Sequence, residues 1–440
     1  MGTSNTGVDF GGGARTSVSS ADMYVVKLGP DGCYLWDKFF GGTSGFEQIW
    51  GLDTDDAGNV YAAGYFRGTM DLGGGPRTNN QGASTTNYDL YVVKYSPTGA
   101  HVWDFVSTGD GSCLIESGGA SGIDVFGPTG EVAVAGRFNR SEVFGPFTIV
   151  NAAGATSTAF DPFVMKLNAS GTPAWVSSYT MSTSSEVSTA DSTTPSICLF
   201  DPAGDVYYAS IYMNGANIGA GALAPLVAGG QDAFLTRRSG ATGAHVWSRT
   251  IRSSTAGTEV MGGLSVDAGR LYLAGGYYSG TDFGSGARTA GGRHPFVAAY
   301  DRGSGAYLWD RAYTSSSTGL EQTSSVRATG TQLFAGGMYA GTADFGGGPR
   351  TSVGGVDAFL LKLDPATGAT IWDKQWGGSV LTALEQVRSV ATTPAGDPTI
   401  TGSYVGTVDW DPGAGTTNRT AAGSLADYYL VKLQGATGNF

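Results

Sequence analysis

The sequence predicts an all-β fold built by repetition, on three observations. One phrase, Asp-x-[Phe/Tyr]-[Leu/Val]-x-[Lys/Arg/Ala]-[Leu/Tyr/Arg], starts at Asp22, Asp89, Asp161, Asp232, His294, Asp357 and Asp427, at intervals of 67, 72, 71, 62, 63 and 70 residues. Near-constant spacing of this kind marks a supersecondary unit copied along the chain. A tryptophan (Trp36, Trp103, Trp175, Trp247, Trp309, Trp372) follows each of the first six copies by 14 or 15 residues. Composition is the third: 72 glycines and only 14% charged residues suit short strands joined by polar turns, not long helices.

Within one unit the strands are read in order. Asp357–Leu363 sets Phe359, Leu361 and Leu363 on one face and Ala358 and Leu360 on the other, so both faces are expected to be buried. Pro365-Ala-Thr-Gly368 reads as a turn in which glycine takes positive φ. Residues 369–376 return as a second strand carrying Trp372. A polar stretch leads to Glu385, a third strand over about 385–391, a turn ending at Gly396 and a fourth strand over about 399–409. Pro30-Asp-Gly32, Pro97-Thr-Gly99 and Ala241-Thr-Gly243 fill the same turn in other units. Four short antiparallel strands per unit, without helical periodicity, predict the blades of a β-propeller. A solenoid would need polar capping repeats, and the sequence shows none.

DAFLLKLDPATGATIWDKQWGG and DAGNVYAAGYFRGTMDLGGG resemble the SBBP-type β-propeller repeats of large bacterial surface or secreted proteins. The likeness covers nearly the whole chain and is weakest over about 110–230. The [Ala/Pro]-Thr-Gly-x-x-x-Trp element also resembles the tryptophan-docking repeat of quinone-dependent dehydrogenase propellers. That second resemblance implies that the tryptophan strand is outermost and the strand beginning at the recurring Glu lies nearest the axis. Small residues there (Gly118-Gly119, Gly262-Gly263, Ser324-Ser325) fit the crowding where blades converge. The count is then five whole blades with an incomplete one at each end, about 8–42 and 385–440. A seven-bladed, imperfectly closed ring is expected; a six-bladed ring that merges the partial blades is the alternative. Residues 1–440 read as one domain, expected to be monomeric and part of a longer exported chain, with an extracellular or cell-surface location.

Charge and cysteine usage narrow the function. The net charge of −12 and the pI near 4.6 disfavour nucleic acid. No apolar run approaches membrane-helix length. Cys33, Cys113 and Cys198 form no zinc spacing and no disulfide framework; free thiols are the simple reading, and Cys113 with Cys198 is the one pairing considered. His101 and His245 share one repeat position and His294 replaces the leading Asp of its phrase, so no catalytic triad or metal set emerges. Residues 53–58 begin like a calcium loop but lack its later ligands, and an acidic β-turn is the plainer reading. No cofactor is expected; the adjacent cysteines of quinone enzymes are absent, and Ca²⁺ is the one metal considered.

The long, variable connections open on one rim, the expected binding face. Two repeated features belong to it. Glu47, Glu116, Glu186, Glu259, Glu321 and Glu385 each open the inner strand, either as a ring for Ca²⁺ or sugar hydroxyls or as acceptors within their own loops. Asp-[Phe/Leu]-Gly-[Gly/Ser]-Gly-[Ala/Pro]-Arg-Thr sets Asp9 six residues before Arg15, and likewise Asp71/Arg77, Asp282/Arg288 and Asp344/Arg350; Asp409/Arg419 is a longer variant. The spacing suggests an ion pair closing each loop, or a multivalent arginine site for an anionic glycan. No catalytic residue is assigned. The chain is read as a non-catalytic binding or scaffold module for a glycan, a matrix component or a protein. A glycan-processing enzyme using Glu47, Glu321 or Glu385 is the runner-up, and a spacer without a ligand the third reading.

Overall fold

A computed structural model describes residues 2–4, 9–16, 22–42, 47–80, 87–115, 122–155, 159–181, 196–213, 216–219, 221–223, 231–255, 259–319, 321–378, 380, 384–421 and 426–439. Among these there are strands and turns and no α-helix, so none long and apolar enough to cross a membrane.

The second sheet sets the pattern. An inner strand Gln48–Thr54, a second strand Val60–Phe66, a third strand Asp89–Tyr95 and an outer strand His101–Val106 hydrogen-bond antiparallel in chain order. The same order holds in the sheets built on the third strands Asp161–Leu167, Gln231–Arg238, His294–Asp301 and Pro349–Leu363. A three-stranded sheet stands at each end. The first (Gly2–Ser4, Asp22–Leu28, Tyr34–Phe40) holds second, third and outer strands, and the last (Gln386–Thr392, Pro398–Tyr404, Asp427–Lys432) holds inner, second and third. Each end sheet thus has its own second and third strands among the described residues.

Neighbouring sheets pack face to face, which is why second and third strands are apolar on both sides. One core combines Leu235 and Ile251 of one sheet with Leu273 and Phe296 of the next; another combines Leu360 and Trp376 with Ile400 and Val431. Inner strands converge: Leu52, Ile123, Ile197, Leu264, Val326 and Val390, one from each inner strand, line a single cavity of about 160 Å³. Sheets stacked face to face around a common axis, inner strands inward, make a β-propeller. The crowding is real, since a Cβ on Gly262 would lie 1.9 Å from the Thr323 carbonyl oxygen.

At the outer edge each tryptophan ties its sheet to the next. Trp36 Nε1 donates to the Pro97 carbonyl (2.9 Å), Trp103 to Ala169 (3.0 Å), Trp175 to Gly240 (3.0 Å), Trp247 to Arg302 (3.3 Å), Trp309 to Pro365 (3.1 Å) and Trp372 to Gly435 (3.4 Å). The turn supplies a glycine under the ring: Gly368, at φ 70°, would set a Cβ 2.6 Å from Trp309. The outer strand also carries a recurrent bulge beside the tryptophan, as at Lys27/Leu28 and Lys362/Leu363. The residue it skips is apolar and exposed (Leu35, Val102, Val246, Leu308, Ile371). Such bulges twist an edge strand away from edge-to-edge pairing.

Candidate functional site

The recurring glutamates sit inside the protein. Glu47, Glu259, Glu321 and Glu385 are each 0% exposed; Glu116 and Glu186 lie outside the described residues. Each lies at a seam between sheets. Glu259 Oε1 accepts from Thr281 Oγ1 (2.7 Å), Glu321 Oε1 from Ser315 Oγ (2.7 Å), and Glu385 Oε1 from the Val405 amide (3.3 Å). For Glu259, Glu321 and Glu385 the other neighbour is the leading residue of the preceding sheet's phrase. Asp232 raises the Glu259 carboxyl, whose main push is burial, to about 7. Asp357 is lifted to about 7, again mainly by burial and then by Glu385. Where His294 replaces that aspartate, its Nδ1 stands 3.1 Å from Glu321 Oε2. Among the described residues no three acidic, His or Cys side chains gather as a metal-holding group.

The glycine loops fold differently from the ion pairs their spacing suggests. Asp9 Oδ1 accepts the amides of Gly11 (2.7 Å) and Gly13 (3.0 Å), and Asp71, Asp282 and Asp344 accept the corresponding pairs. Glycines at positive φ turn those amides onto the carboxylate, which leaves the arginine free to reach elsewhere. It reaches the aspartate that follows the tryptophan: Arg15 to Asp37 (2.6 Å), Arg77 to Asp104 (2.5 Å), Arg288 to Asp310 (2.7 Å) and Arg350 to Asp373 (2.5 Å). The Arg15 guanidinium holds the Asp37 carboxyl below its usual range. Each pair closes a loop onto its own outer strand, so the arginines are not brought together. Arg419 donates to the neighbouring Asn418 carbonyl.

The acidic turn at 53–58 is closed by Asp55, whose carboxylate accepts the Ala57 and Asn59 amides and the Tyr61 hydroxyl. Cys33, Cys113 and Cys198 are free thiols; Cys113 and Cys198 are buried and unbonded to one another.

The residues that sequence reasoning missed line the channel. Register places Asp53, Asp124, Leu199, Ser265, Arg327 and Ala391 at one position of the six inner strands, opposite Tyr61, Ala133, Tyr207, Tyr272, Phe334 and Thr399. Each of those partners lies three residues before the second-strand residue that pairs with the aromatic of the phrase. Unlike the glutamates and arginines, this layer does not repeat. Three of its side chains bind across to the next inner strand: Asp53 accepts the Val125 amide (2.7 Å), Asp124 the Phe200 amide (2.6 Å) and Ser265 the Ala328 amide (2.8 Å). Asp53 and Asp124 share one cavity and lie close enough for the Asp53 charge to act on Asp124. Burial, then the Asp53 charge, drives Asp124 well above the carboxylate range, and burial raises Asp53; Arg327 favours the charged form of both. A second cavity of about 280 Å³ shares Asp124, Leu199, Leu264 and Arg327 and continues past Gly127 and Pro202 of the inner-to-second turns. It therefore lies toward the rim of short turns, opposite the long-loop rim.

No family model matches the chain. Over 129 residues it is 27% identical to an uncharacterised WD repeat-containing protein of Acanthamoeba polyphaga mimivirus, a match covering 28% of this chain and 9% of that protein. The chain thus spans under a tenth of the curated relative it matches. Among solved structures it is similar to the quinohemoprotein alcohol dehydrogenase of Comamonas testosteroni (11% identity, 91% of this chain and 70% of that one, TM-score 0.38). It is also similar to the Pan2 WD40 domain of Neurospora crassa (8%, 80% and 86%, TM-score 0.36) and to BamB of Moraxella catarrhalis (12%, 91% and 95%, TM-score 0.33). The fold assignment rests on the sheets themselves.

Proposed function

We propose that this propeller is a non-catalytic binding module, located outside the cell or at its surface, that takes the end of an acidic glycan into the central channel from the short-turn rim. The observation that carries the reading is the broken repeat at the channel layer. Glu47, Glu259, Glu321 and Glu385 are enclosed at sheet seams, and Arg15, Arg77, Arg288 and Arg350 hold loops against outer strands. These features serve every blade alike. Asp53, Asp124 and Arg327 occur once each in their layer, on inner strands that share a cavity. Arg327 suits a sugar carboxylate, and a carboxyl pair sharing one proton both donates to and accepts from hydroxyls. The resemblance to bacterial surface repeats supports the location.

Calorimetric titration with trigalacturonate tests the reading. Binding is expected, weakened roughly tenfold or more in Arg327→Ala and Asp124→Asn and unchanged in Arg77→Ala. Asn at 124 keeps an acceptor for the Phe200 amide, so the variant preserves the seam. Equal weakening in Arg77→Ala, or undiminished binding in Arg327→Ala, would move the site away from the channel.

A further inference from the structure

One seam departs from the repeat at a position the other sheets keep uncharged. Past its outer strand each sheet pairs briefly with the loop strand of the next: Gly42 with Met70, Gly109 with Glu142, Met181 with Ala216, Ser253 with Thr281, Ser315 with Ala343 and Gly378 with Val408. The loop-strand residue is apolar in four of these pairs and a threonine in another, where Thr281 Oγ1 donates to Glu259 Oε1. Glu142 alone brings a carboxyl.

Glu142 is 0% exposed, and neither of its carboxyl oxygens has a hydrogen-bond partner. Asp89, which leads the phrase of the second sheet, is also 0% exposed; its Oδ2 accepts the Asn80 amide (2.9 Å), and its Oδ1 has no partner. The two carboxyls lie close enough for the Asp89 charge to act on Glu142. The Ser107 hydroxyl stands beside Glu142 and, after accepting the Leu90 amide (3.0 Å), keeps a lone pair. Gly109 gives the carboxyl room, since a Cβ there would lie 2.9 Å from Glu142 Oε2. Three enclosed carboxyl oxygens without a donor are a costly arrangement unless a positive charge compensates them.

We propose that Glu142 and Asp89 hold a Ca²⁺ ion in the seam between the second and third sheets, with the Ser107 hydroxyl as a further oxygen donor. Two carboxylates balance the charge of a divalent cation, and every donor in the set is a hard oxygen. Ca²⁺ accepts monodentate and bidentate carboxylates in a flexible shell, whereas Mg²⁺ keeps several waters and suits an enclosed seam poorly. Zn²⁺ needs a fuller set of Cys, His or acidic side chains, and no three gather among the described residues. The ion takes the place of the protons that burial otherwise keeps on both groups. Asp110, exposed beside Gly109, adds an outer negative charge that draws a cation toward the seam. The site joins two sheets and is independent of the channel ligand.

Calorimetric titration of the EDTA-treated whole chain with CaCl₂ tests the site. Saturable binding is expected, weakened roughly tenfold or more in Asp89→Asn and lost in Glu142→Met. Met70 fills the equivalent position, so Glu142→Met is expected to fold and, without Ca²⁺, to melt no lower than the wild type. Asp89→Asn keeps an acceptor for the Asn80 amide and carries the test if the methionine variant folds poorly. Excess Ca²⁺ should raise the melting midpoint of the wild type and leave that of Glu142→Met unmoved. Glu259→Gln, altered at another seam, should respond as the wild type does. No binding, binding undiminished in both variants, or Zn²⁺ displacing Ca²⁺ at equal concentration would overturn the proposal.

Discussion

Trp309→Ala is expected to lower stability by about 3–5 kcal/mol, the cost of emptying a buried aromatic site. Trp309 is 8% exposed, packs against Tyr272 with ring centres 6.0 Å apart, and donates Nε1 to the Pro365 carbonyl of the next sheet. Truncation removes packing on one sheet and leaves that carbonyl without its indole donor, so the loss falls on a seam between blades. Gly368→Val is its counterpart: a Cβ would meet the indole at 2.6 Å, and φ 70° strains any L side chain. The two changes act on one contact, so the double variant should lose less than the sum of the singles. Chemical denaturation of the four proteins gives the coupling. Additive losses would mean that indole and turn do not act together.

The second large effect concerns pH. Carboxyls at the seams titrate high: Asp89 is raised to about 6, Glu259 and Asp357 to about 7 and Glu142 to about 9, each mainly by burial. A carboxyl raised in the folded state contributes stability that is fully present below its unfolded pKa and lost as pH rises through the folded one. The loss should therefore run from about pH 4 to pH 9, steepest between about 4.5 and 6, where all four carboxyls hold a proton only in the folded state, and shallow above 7, where only Glu142 still does. For Glu259, raised from 4.5 to about 7, it is on the order of 3 kcal/mol. Opposing groups act lower: Asp37, held down by Arg15, and Asp55, held down by Asn59 and Tyr61 despite burial, lose their contribution as pH falls below the ordinary carboxylate range. Maximum stability is expected on the acidic side of neutrality. Melting curves over pH 4–9 read this directly, and Glu259→Gln should flatten the decline between about pH 4.5 and 7. A wild-type midpoint that rises from pH 6 to 9 would contradict the assignment of raised carboxyls to the seams.

Much of this fold was readable in the residues. The Asp357–Leu363 strand is apolar on both faces because it lies between two sheets, and its alternation says so. The inner strand announced itself through Gly262-Gly263, where close approach forbids a side chain. The loop arginines were misread because a six-residue spacing favours a local partner. What the spacing hides is that glycine amides occupy the aspartate first. A signal was nevertheless present: Arg15, Arg77, Arg288 and Arg350 occur in the units whose tryptophan is followed by Asp, while the units reading Trp175-Val176 and Trp247-Ser248 lack the arginine. The channel layer was harder to find. Inner strands carry bulges between Ile49 and Gly51, Met261 and Gly263, Thr323 and Ser325, and Val387 and Ser389. One extra residue per strand breaks the simple alternation that would have shown which face Asp53 and Arg327 take.

Whether ligand enters the channel or meets the long-loop rim is the question on which the account stands. Methyl NMR of Leu- and Val-labelled protein during titration with trigalacturonate separates the two by position. Shifts concentrated at Leu52, Val125, Leu199 and Leu264, which line the paired cavities, are the predicted result. Shifts at Val353 and Leu384, exposed among the long connections, with the channel methyls unmoved, would contradict it.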